Sequence, residues 1–182
     1  MRFQVEQKIA GPVEAVANIY TDPRFYEAAG ELPKLGRPEV LDRREDGPVV
    51  HLAVRFRFTG NLSSAVTKVV DPAKLTWVEE SVHNLADHTV TFRMNPDHYA
   101  DRLRSEGSVR YEADGAGMTR RLTEGELAVK VPLLLGGGKV GGAVENAIVS
   151  GLRDHLAARR PRLRRSGGER DRLRPPGPPC RR

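Results

Sequence analysis

From Arg37 to Val131 apolar residues recur at every second position, in short runs separated by turn signals, and this alternation constrains the fold more than any other feature of the chain. Period two is the mark of strands buried on one face. Val49 to Phe58 shows it best, with Val50, Leu52, Val54, Phe56 and Phe58 on one side and His51, Arg55 and Arg57 on the other. A weaker strand, Val40 to Arg44, precedes it across the turn Glu45-Asp46-Gly47-Pro48. Gly60-Asn61 leads into Leu62 to Val70, and Asp71-Pro72 ends that run. Leu75 to His83 and Thr89 to Met94 read as a hairpin. Leu103 to Ala113 and Met118 to Val131 read as another, around Asp114-Gly115-Ala116-Gly117. With Arg2 to Ile9 at the start, the pattern gives eight strands joined mostly by tight turns, hence an antiparallel sheet.

The last strand changes parity. Met118 and Leu122 hold even positions, whereas Leu127, Val129 and Val131 hold odd ones, which predicts a β-bulge near Gly125. Helical signals are fewer. Pro12 suits the opening of a helix with Val13, Val16, Ala17 and Tyr20 on its apolar side, and Asp22-Pro23 caps and starts a second that turns Phe25, Tyr26 and Ala29 inward before Gly30. A third, much longer helix is predicted over Lys139–Ala158. Val140, Val144, Ala147, Ile148, Leu152 and His155 form its apolar stripe, which only a sheet is available to cover.

The net charge of +6 is unevenly placed. Ten arginines against Glu169 and Asp171 give residues 159–182 a charge of +8, so the preceding 158 residues stand at −2. The basicity therefore belongs to an Arg/Pro-rich tail with almost nothing to bury, expected to be disordered, and not to the domain at 1–158. Cys180 is the single cysteine, so neither a disulfide nor a cysteine metal cluster can form within the chain. The opening MRFQVEQK has no apolar segment of the signal-peptide type, and no apolar run approaches the length of a membrane span, so the expected location is cytoplasmic.

The order of strand, two short helices, long antiparallel meander and final long helix resembles the START-like (SRPBCC, helix-grip) superfamily. TDPRFYEAAGEL from Thr21, GELAVKVPLL from Gly125 and GGKV from Gly137 are similar to an uncharacterised bacterial branch of it, a domain of unknown function. The resemblance spans about residues 1–157. It implies an α+β helix-grip fold, a curved antiparallel sheet of seven strands rather than eight around the C-terminal helix, with an apolar cavity between them. Folds of this kind host carriers, receptors, cyclases and oxygenase subunits, so function must be argued from the site.

In such a cavity the inward strand residues and the helix stripe would meet a ligand: Val54, Phe56, Trp77, Glu79, His83, Phe92, Met94, Tyr111, Ile148, Leu152 and His155. The plainer alternative is a solid core. Glu79 and His83 carry the sharper choice. If Trp77 points inward they follow it, whereas if Val78 and Val82 are the buried set they are solvated. His155, near the helix end, is either a structural histidine or a cavity residue.

The five histidines show no HExxH or comparable spacing, and no serine sits in a GxSxG elbow. Gly136-Gly137-Gly138-Lys139 has Val140 where a phosphate loop needs Ser or Thr. No metal or cofactor is expected. The function expected is binding or carriage of a lipid-like or polycyclic molecule. The alternatives are a cyclase- or dehydratase-like enzyme using Glu79, His83 or His155 as acid or base, and a nucleic-acid or anionic-membrane adaptor acting through the tail.

Overall fold

A computed structural model describes residues 1–30, 34–62, 64–68 and 70–130. Seven antiparallel strands among them form one sheet: β1 (Arg2–Ala10), β2 (Glu39–Asp46), β3 (Val49–Arg57), β4 (Thr76–Asn84), β5 (Thr89–Pro96), β6 (Leu103–Ala113) and β7 (Met118–Val129). Their spatial order is β1-β7-β6-β5-β4-β3-β2. Strands β2 to β7 are a plain meander, and β1 joins the far side by pairing with β7 from Arg2↔Glu126 to Ala10↔Met118. The long C-terminal helix expected at Lys139–Ala158, and with it Ile148, Leu152 and His155, lies outside the described residues, as does the tail.

The two short helices, α1 (Val13–Ile19) and α2 (Pro23–Ala29), follow β1 as the capping signals require. Asp22 accepts a hydrogen bond from the Arg24 backbone N–H while Pro23 fills the first helical position, where no N–H is needed. The two are locked together by the Tyr26 hydroxyl, which donates to the Tyr20 carbonyl at 2.9 Å. Arg43 of β2 donates through Nε to the Thr21 carbonyl at 2.8 Å, tying the helix junction to the sheet edge.

Two sequence expectations are corrected. Leu62 to Val70 is not an eighth strand; it holds a short helical turn, Ser64–Thr67, followed by a 3-10 turn at Pro72–Lys74. Leu62, Val66, Val69 and Val70 fit a three-to-four spacing as well as a broken alternation, and a short apolar run does not separate the two. Gly125 is not a bulge either. Register runs unbroken through it on both sides, with Phe3↔Gly125 and Gly107↔Gly125. The register shift lies instead between Val40 and Asp42, on the sheet edge.

Gly125 serves close packing. A Cβ there would lie 2.6 Å from the Phe3 ring and 2.8 Å from the Glu106 carbonyl, and one on Gly107 would lie 2.2 Å from the Glu124 carbonyl and 2.7 Å from the Phe92 ring. The paired glycines thus leave room for two aromatic rings over the centre of the sheet.

The apolar side of the sheet carries two clusters. One gathers Leu52, Val54, Phe56, Trp77, Met94 and Leu127, with Phe56 stacked on Trp77 at 5.7 Å between centroids. The other packs Val16, Ala17 and Tyr20 of the helical segment against Ile9, Val90, Val109 and Tyr111.

Candidate functional site

The cavity lies at the seam of these two clusters, and strand register decides what faces it. Side chains directly opposite one another on neighbouring strands share a face, so each register pair extends a row across the sheet. One row runs Val50, His83, Val90, Val109, Thr123. The next runs Leu52, Ser81, Phe92, Gly107, Gly125 and Phe3, and a third runs Val54, Glu79, Met94, Ser105 and Leu127. A last row sets Tyr111 beside Arg121 and Arg121 beside Gln7. Glu79, Ser81, His83, Phe92, Met94, Ser105, Tyr111, Arg121 and Thr123 come together around a cavity of about 50 Å³, with Tyr20 and Tyr26 contributed by the helices.

The choice left open on β4 is thereby decided. Trp77, Ser81 and His83 are buried, Val82 is 38% exposed, and Glu79 follows Trp77 to the cavity side. His83 Nε2 lies 3.0 Å from Ser81 Oγ. Of the expected ligand residues, Glu79, His83, Phe92, Met94 and Tyr111 line the cavity. Val54, Phe56 and Trp77 are buried beside it, in the larger apolar cluster.

Arg121 is the residue that pattern reading missed. It is 5% exposed, its Nη1 donates to Gln7 Oε1 at 2.7 Å, and its guanidinium carbon lies 4.8 Å from the centre of the Tyr20 ring and 6.0 Å from that of Tyr111. Burial alone works to lower its pKa, but the tyrosines at 111 and 20, and then Glu79, outweigh it and hold it above the ordinary arginine value. Arginine is not deprotonated in proteins, so Arg121 is a buried cation. Its Nε and the Thr123 hydroxyl have no hydrogen-bond partner.

A signal for it was present in the sequence. The buried positions of β7 are Thr119, Arg121, Thr123 and Leu127, all odd, whereas Met118 and Leu122 are only partly buried. The parity never changes. The inward face simply becomes polar where the cavity begins.

No group of three or more histidine, cysteine, aspartate or glutamate side chains suited to a metal ion occurs among the described residues. His51 and His98 are exposed, away from the cavity. Among the described residues, no helix is long and apolar enough to cross a membrane.

A meandering curved antiparallel sheet with its first strand at one edge beside β7, two short helices and a cavity on the face they pack against make up a START-like fold. The chain belongs to the family described as "Protein of unknown function (DUF2505)", whose pattern matches residues 4–165. Its fold is shared with a protein of Thermus thermophilus at 18% identity and a TM-score of 0.63, covering 87% of this chain and 94% of that one. The Zhui aromatase/cyclase from a Streptomyces species is similar at 15% identity and a TM-score of 0.62, over 87% and 90% of the two chains. Norcoclaurine synthase from Thalictrum flavum follows at 15% identity and 0.54, over 87% and 83%. The chain matches no curated protein sequence.

Proposed function

We propose that this domain binds a hydrophobic small molecule, lipid-like or polycyclic, between the covered face of the sheet and the C-terminal helix predicted at Lys139–Ala158. The carrying observation is the lining itself: aromatic and aliphatic side chains from β1, β5, β6 and the helical segment surround a cavity into which β4, β6 and β7 bring convergent polar groups, a combination typical of ligand pockets. Ile148, Leu152 and His155 would complete the lining, with Val54, Phe56 and Trp77 packed behind it. Two of the fold neighbours point the same way. One is an aromatase/cyclase, and norcoclaurine synthase is described in complex with dopamine and hydroxybenzaldehyde.

About 50 Å³ corresponds to roughly three to five waters at about 10–15 Å³ each, so a larger ligand must displace side chains at the rim, with Met94 and partly exposed Phe92 the most adaptable. Native mass spectrometry of the purified chain, followed by titration with fatty acids and planar aromatics, tests the reading. Co-purification of an apolar molecule, or saturable binding of one, is expected. A chain that takes up none refutes it.

Convergence of Glu79 and His83 in one cavity favours a second reading, an enzyme of cyclase or dehydratase type acting on the bound molecule. His83, paired with Ser81, would move protons, and Glu79 would serve as the second acid or base. Prolonged incubation with the ligand should then yield a product of changed mass, lost in Glu79→Gln and His83→Gln while binding persists. A ligand recovered unchanged leaves the carrier reading alone.

A further inference from the structure

Most of the cavity is apolar, yet it encloses a full positive charge. A buried cation is costly unless an anion or several hydrogen bonds compensate for it. For Arg121 the compensation is partial. Gln7 accepts one hydrogen bond, the Tyr111 side chain is a second hydrogen-bond partner, and the rings of Tyr20 and Tyr111 supply cation–π attraction. Among the described residues no carboxylate forms an ion pair with it, although Glu79, which lines the same cavity, adds a favourable charge interaction. Thr123, the next side chain on the same face of β7, is 2% exposed, and its hydroxyl is unpartnered, like Arg121 Nε. Two unused polar groups, on residues more than nine-tenths buried, thus line the cavity.

We infer that the molecule held in this cavity is an acid, whose carboxylate docks against Arg121 with the Thr123 hydroxyl as a further donor. The inference rests on the small-molecule reading above and narrows it to one chemical class. A guanidinium fixed by Gln7 and two rings is pre-organised, so little ordering is lost when an oxyanion arrives, and a charge-assisted hydrogen bond in a buried site is among the stronger polar contacts. An alcohol or amide of the same shape supplies no charge and leaves the cation uncompensated. Glu79, which also lines the cavity, makes the ammonium analogue the informative competitor, because an amine would choose Glu79 and avoid Arg121.

The test uses matched ligands on the unmodified chain, so it does not depend on any variant folding. Octanoate, octanol and octylamine, with 3-phenylpropionate and 3-phenylpropanol as the aromatic pair, are titrated at neutral pH by calorimetry and native mass spectrometry. Each acid is expected to bind at least tenfold more tightly than its alcohol, and Arg121→Gln is expected to bring that ratio to near one, with Arg121→Lys retaining part of it. Equal binding of acid and alcohol, or a preference for the amine, overturns the inference while leaving apolar binding intact. Failure of every probe to bind overturns this inference and counts equally against the reading on which it rests.

Discussion

At the scale of single residues, the helix junction and the aromatic stack give the cleanest predictions. Asp22 is held below its ordinary carboxylate range by the Arg24 side chain first and by the Arg24 backbone N–H second. A depressed carboxyl stabilises the fold above the unfolded value of 3.8, and that contribution is lost as pH falls through the lower folded value. Asp22→Ala is expected to cost about 1 kcal/mol at neutral pH, the usual loss of an N-cap, and Asp22→Asn less because the amide oxygen still caps. Urea titrations should show the wild-type advantage over the Asn variant shrinking only below about pH 4. Phe56 is 1% exposed and stacks on Trp77, the single tryptophan. Phe56→Ala should cost about 3–5 kcal/mol and shift the tryptophan emission to the red, both measurable in one denaturation series.

At the scale of elements, the sheet was legible because most of its strands bury apolar residues at every second position, and α1 and α2 were legible because Pro12, Asp22 and Pro23 mark their starts. β7 was misread for a physical reason. Alternation identifies the inward face only while that face is apolar, and Thr119, Arg121 and Thr123 make it polar, leaving Met118 and Leu122 as a false guide. On β4 the alternation left two rival inward sets, Trp77 with Glu79 and His83 or Val78 with Val82, and only the burial of Trp77, Ser81 and His83 separates them; on β5 the apolar run Val90, Phe92 and Met94 marked one face unambiguously. The residues of β7, where the strongest charge sits, were lost with the parity. Gly107 and Gly125 offer the check on how β6 and β7 actually meet. Gly107→Ala drives its Cβ against a backbone carbonyl, and the loss should reach about 3 kcal/mol or more. Gly125→Ala also crowds a carbonyl, so it too should destabilise, by about 1–3 kcal/mol. An unfolding midpoint equal to wild type would contradict the close approach of Gly125 to the Glu106 carbonyl.

At the scale of the molecule, charge and cavity are separable. Residues 1–158 carry a net −2 and the remainder +8, so any attraction to polyanions is assigned to the arginines of 159–182. Exchanging those ten arginines for glutamine should abolish salt-dependent retention on heparin and leave the affinity for an apolar acid unchanged, whereas a parallel loss of both would join the two properties. One topological fact also sets the order of events during folding. β1 leaves the ribosome first, but its partner β7 lies more than a hundred residues further along the chain, so the first strand has nothing to pair with until nearly the whole meander has been made. Such distant pairing is slow to form and exposes an unsatisfied edge meanwhile, so folding in milliseconds to seconds is expected, with the β1 amides among the last to gain protection in pulse-labelled hydrogen exchange. Gln7 arrives with that strand, and the guanidinium of Arg121 is held in place only once this late closure is complete.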